Sequence, residues 1–145
     1  MAYEIIQDID SNPAFKLPIS SITVAIGDLL ERTAGATTWV LTTSSSDHFT
    51  RKAIALEAAT TSDTSVLAQE LTGNEKVKVE SANNSNTAHN GDRMAATGEN
   101  TVNNSGTDVT GQAVVFVQDG TAGAASDKRI IGRVLVGNGV DPDAS

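Results

Sequence analysis

Apolar residues in this chain recur at every second position, in short stretches that end at glycine, asparagine or proline. Alternate side chains of an extended backbone point to opposite faces, so this period describes strands and not a helical stripe. Ile22, Val24 and Ile26 alternate with Thr23 and Ala25, and Gly27-Asp28 closes the stretch as a turn. Residues 39–42 are short, β-branched and aromatic, which suits a strand. Residues 51–58 set Ile54 and Leu56 on one face and Ala53 and Ala55 on the other. Residues 112–118 are apolar on both faces, the pattern of an interior strand. Residues 129–136 place Ile130, Val134 and Val136 on one face, and Ile131 and Leu135 on the other with Arg129 and Arg133. Gly132, inside that strand, predicts a bulge or a close backbone approach.

Residues 65–71 fit two local structures. Asp63 could cap a helix that Gly73 ends. A strand is preferred, because a Gly73-Asn74 hairpin turn would join it to the clean alternation of Lys76-Val77-Lys78-Val79-Glu80. About seven or eight short strands with glycine-rich turns predict an all-β fold, a barrel or a sandwich.

Three regions organise the chain. Residues 1–20 read as an extended N-terminal arm, because Pro13 and Pro18 hold the residues before them out of the helical region. The arm is apolar, with Tyr3, Ile5, Ile6, Ile9, Phe15 and Leu17, so it must cover either its own domain or a neighbour. Contact with a neighbour is favoured, and Tyr3, Ile5, Ile6, Ile9, Pro13, Phe15, Leu17 and Pro18 are the candidate interface residues. Residues 21–139 form the β domain. Within it, residues 81–111 are a long polar loop whose asparagines suit capping of local backbone. Met94-Ala95-Ala96 is a short strand candidate there, and Asn90-Gly91 a turn. Residues 140–145 are an acidic tail.

Composition narrows function. The net charge is −8 over 145 residues, which opposes a nucleic-acid partner. Only 3% of residues are aromatic, leaving little to stack on bases or sugars. Cysteine is absent, so there is no disulfide framework, thiolate metal site or cysteine nucleophile. No apolar run is long enough for a membrane helix, and the N-terminus has no secretory pattern.

No grouping announces catalysis. Asp47-His48 lies among serines, yet no G-x-S-x-G elbow accompanies it, and sequence adjacency does not build a triad. His89 precedes a turn and reads as a loop residue. The pairs Asp8/Asp10 and Asp141/Asp143 lack the glycine and closing glutamate of a calcium loop. No phosphate-binding glycine motif occurs. The expectation is a protein with no enzymatic activity and no cofactor. Trp39, the one tryptophan, is expected in the core.

Several stretches resemble the capsid decoration (cement) proteins of tailed bacteriophages. Leu17-Pro18-Ile19 leads into Ile22-Thr23-Val24 and Gly27-Asp28. Lys76-Val77-Lys78-Val79-Glu80, Ala82-Asn83-Asn84 and His89-Asn90-Gly91-Asp92-Arg93-Met94 follow. Thr101-Val102-Asn103-Asn104-Ser105-Gly106-Thr107-Asp108 and Lys128-Arg129-Ile130-Ile131-Gly132-Arg133 complete the set. The resemblance runs over residues 12–139. It implies a small β-barrel or β-tulip-like domain on the outer capsid surface of the virion. It also implies the major capsid protein as partner, self-association as a homotrimer, an arm lying on the shell, and no active site. The alternative is a virion adhesin, a fibre or baseplate module, that binds host glycans.

Overall fold

The computed structural model describes residues 2–8, 12–105, 108–109, 113–124 and 126–138. Its strands are β1 (Glu4–Gln7), β2 (Ala14–Pro18), β3 (Leu29–Arg32), β4 (Val40–Leu41), β5 (Arg51–Ala55), β6 (Ser65–Glu70), β7 (Lys76–Ser81), β8 (Arg93–Met94), β9 (Thr101–Val102), β10 (Phe116–Thr121) and β11 (Arg129–Val134). The chain is a small all-β domain of two sheets. The first has the order β1-β7-β11-β10-β8, with β9 paired to β7 beyond the end of β1. The second has the order β2-β6-β5-β3-β4. Every pairing is antiparallel except that of β9 with β7.

The first sheet is two-faced, as its alternation requires. Val77, Val79, Ile130, Val134 and Phe116 point inward and are buried. The outer face carries charges that pair across strands and turns: Lys78 with Glu4 at 3.4 Å, Arg133 with Asp119 at 3.6 Å and Arg129 with Asp127 at 2.5 Å. Leu29, Ile54 and Leu71 from the second sheet complete this inter-sheet core.

The second sheet is buried on both faces. Its other face holds a separate core of Leu17, Leu30, Ala53, Ala55, Val66 and Ala68 around Trp39, with Ile19, Val24 and Ala59. The Trp39 backbone N–H donates to the Pro18 carbonyl at 2.8 Å, which links the β4 end of the sheet to β2. Four alanines in that interior, Ala53, Ala55, Ala59 and Ala68, leave the volume that one indole fills. The scarcity of aromatics is therefore compatible with a buried core. Arg51 lies 5.4 Å from the Trp39 ring centroid and closes the mouth, held there by two 2.7 Å bonds to Glu70.

Two strand expectations are corrected. Residues 65–70 and 76–81 are both strands, but they do not form a hairpin: β6 belongs to the second sheet and β7 to the first. The intervening corner is built around the buried Glu75 carboxylate, which accepts from the N–H groups of Thr72 (2.9 Å) and Gly73 (3.0 Å). Gly73 takes a φ of +94° there, where a side chain would be strained. Residues 22–26 make no strand. Val24 alone bridges to Ala59, and Ile26 is 66% exposed. Asp28 accepts from the Ala25 N–H at 2.8 Å and turns the chain too early for a ladder. The interior strand expected over 112–118 is displaced toward the C-terminus: residues 113–115 lie outside any strand, and β10 (Phe116–Thr121) runs between β11 and β8, where Gly132 makes the close approach expected of it.

Candidate functional site

Among its described residues the N-terminal arm supplies an edge strand to each sheet of its own domain, β1 to the first and β2 to the second. The Tyr3 N–H donates to the Gly27 carbonyl at 2.9 Å. A Cβ at Gly27 would fall 2.2 Å from Ala2 Cβ, so only glycine lets the arm lie this close. The eight candidate interface residues separate by environment. Tyr3 is in the inter-sheet core and Leu17 in the separate core around Trp39. Ile5 is half-buried against the former. Ile6 and Phe15 are 41% and 59% exposed, and Pro13 and Pro18 are also exposed. Ile9 lies outside the described residues.

Two apolar hollows border the arm. One, of about 330 Å³, opens between the sheets and is lined by Tyr3, Ile5, Ile26, Ile54, Leu56 and Gln69. The other, of about 240 Å³, is lined by Pro13, Phe15, Asn12, Glu70, Leu71 and Thr72. The exposure of Ile26 and of Leu56 (41%) escaped the sequence reading, which set both on strand faces. Leu56 follows the end of β5 with its N–H still bonded to the Leu67 carbonyl at 2.8 Å, and Ile26 precedes the turn at Gly27.

A buried polar cluster lies at the loop end of β3 and β5. Glu31 and Lys52 are cross-strand partners, and Lys52 is fully buried. The Lys52 ammonium donates to the carbonyls of Asp47 (2.7 Å) and Thr50 (3.3 Å) and to the Thr50 hydroxyl. That hydroxyl donates to Glu31 Oε1 at 3.0 Å, and Ser46 donates to Glu31 Oε2. Desolvation brings the Lys52 pKa down to about 8, with Glu31 and Asp47 opposing the fall. Each of the polar atoms named is spoken for, so the cluster reads as a plug that ties the 43–50 loop to the sheet. No single signal in the sequence marks Lys52 as buried.

The Asp47-His48 pair lies in the loop between β4 and β5. Asp47 Oδ1 accepts from the Phe49 N–H at 2.8 Å, and the His48 ring rests 4.0 Å from that of Phe49. His89 Nδ1 meets Asp92 at 3.0 Å in the polar loop. Among the described residues no three His, Asp or Glu side chains gather as metal ligands. Asp8 bonds Gln69 and Asn12, while Asp10, Asp141 and Asp143 lie outside the described residues.

The polar loop is ordered by its asparagines. Asn104 accepts from the Asn83 N–H (2.8 Å) and donates to the carbonyls of Asn83 and Asn84 (3.1 and 3.2 Å). Asn86 caps the 3-10 turn Thr87–His89. Beside it, Asn84, Ser85, Asn86, Thr87, Thr121 and Gly123 line a polar hollow of about 480 Å³ that has no aromatic wall. No helix among the described residues is long and apolar enough to cross a membrane. The chain matches no protein-family model, no curated protein and no solved structure.

Proposed function

We propose that the protein is a structural part of a phage virion that binds the outer capsid surface and bridges neighbouring major capsid proteins. The observation that carries this reading is the arm. It forms the outer edge of both sheets and turns Ile6 and Phe15 to solvent beside two apolar hollows. Exposed apolar side chains on both edge strands of the arm favour a protein partner. Many copies, each with a modest contact, would oppose the outward pressure of packaged DNA through avidity. A net charge of −8 suits a shell exterior better than a DNA-lined interior. The resemblance adds a homotrimer around local three-fold axes.

Removing residues 1–20 would strip Tyr3, Leu17 and Ile19 from two cores, so the test uses surface changes. Ile6→Ser with Phe15→Ser should leave the circular dichroism and melting transition intact. The variant should lose binding to undecorated heads of the phage that carries the protein, measured by co-sedimentation. Undiminished binding by the variant would remove the arm from the interface. Failure of the unaltered protein to bind heads, with retention on a glycan array, would replace the capsid reading by the adhesin.

A further inference from the structure

Asn90-Gly91 combines a side-chain amide open to internal attack with the residue that least obstructs it. In a loose chain the Gly91 nitrogen loses its proton to base and attacks Asn90 Cγ. The Cγ–N bond breaks, ammonia leaves and a cyclic succinimide forms. Water then opens the ring at either carbonyl to give aspartate or isoaspartate. Overall one amide and one water become one carboxylic acid and one ammonia.

Both reacting groups are held here by one residue. The Gly91 N–H donates to the Gln118 carbonyl at 2.7 Å. Asn90 Oδ1 accepts from Gln118 Nε2 at 2.9 Å. Gln118 is fully buried on the interior strand β10, and its Nε2 also donates to the Asn86 carbonyl at 2.9 Å. It cannot follow the turn outward without breaking the sheet. A third bond, from the Asn90 N–H to the Thr87 carbonyl at 3.0 Å, fixes Asn90 at φ −60° and ψ 125°. Asn90 itself is exposed, so water is at hand and only geometry withholds the reaction.

We propose that Asn90 is a deamidation site kept closed by Gln118, inert while the turn is docked and converted once it is released. Ring opening to isoaspartate would insert a methylene into the backbone and spoil the register of all three bonds, so conversion would run one way. The turn would then record how often this corner of the protein has opened.

Peptide mass spectrometry tests this on protein held at mildly alkaline pH. The folded protein should deamidate at Asn90 at least about tenfold more slowly than the same chain in denaturing urea, because reaction requires local opening. Gln118→Met, and the isosteric Gln118→Glu that cannot donate, should accelerate conversion while the sheet stays folded. Equal rates in the folded and unfolded chain, or no acceleration in a folded variant, would overturn the proposal. Should neither variant fold, hydrogen exchange of the Gly91 amide in the unaltered protein decides: a freely exchanging amide sinks the clamp.

Discussion

Gly132 offers a sharp test of how closely β10 and β11 are packed. It faces Gln118 across the pair, and its φ is outside the left-handed region, so backbone strain plays no part. Space is the constraint. A Cβ there would lie 1.9 Å from the Val117 carbonyl oxygen and 2.8 Å from two Phe116 ring atoms. The nearest tolerable separation is about 3 Å, so the Val117 carbonyl must retreat by roughly an ångström. Val117 is paired with Arg133 on one side and Arg93 on the other, so the retreat disturbs both ladders. Overpacking costs about 1–3 kcal/mol, and each weakened ladder bond adds about 1 kcal/mol. Gly132→Ala should therefore lose about 3–5 kcal/mol, a fall in Tm of about 10–15 °C for a chain of this size. Gly120→Ala is the control, since a Cβ there meets nothing within 4 Å. It should stay within about 0.5 kcal/mol, because surface changes away from special features usually do. Urea unfolding followed by circular dichroism measures both. Equal midpoints for the two variants would refute the packing argument.

Two buried titratable groups give opposite pH dependences. Lys52, with its folded pKa brought down to about 8, sheds its proton in the folded state before the unfolded chain does. Unfolding then takes up a proton, so stability should rise from about pH 8 toward pH 10, by up to about 1.4 kcal/mol per unit, and Lys52→Met should flatten that rise. Tyr3 behaves in reverse: burial raises its pKa, so above about pH 10 the unfolded chain ionises first and stability falls. Its hydroxyl is buried with no hydrogen-bond partner among the described residues, so Tyr3→Phe should raise stability by about 1 kcal/mol and remove the alkaline fall. A destabilised Tyr3→Phe protein in thermal melts would mean that the hydroxyl has found a partner.

Patterns confined to one strand were legible. Residues 129–136 show Ile130 and Val134 buried and Arg133 exposed, as the alternation requires. Ile54 and Ala53 face opposite cores, and Trp39 is buried as expected of the one tryptophan. Patterns that depend on a partner were not. The Gly73-Asn74 turn looks like a hairpin from its dipeptide, yet the corner around Glu75 sends the chain into the other sheet. Ile26 continues an alternation that the Asp28 turn keeps out of any ladder, and is exposed. Nothing local marks Lys52 as buried; that follows only from Thr50, Asp47 and Glu31 being brought around it.

The arm shows the same division. Its composition and two prolines determined, without any structure, that residues 1–20 would be extended and would cover apolar surface. Period, charge and the choice of small residues are local properties, set by covalent geometry and side-chain chemistry. Which surface the arm covers was decided only in three dimensions. Tyr3 and Leu17 fill cores of their own domain, while Ile6 and Phe15 are left outside. The physical reason is that an edge strand has two sides. Its hydrogen bonds and one set of side chains are satisfied by whichever sheet it joins, and the remainder faces whatever lies beyond.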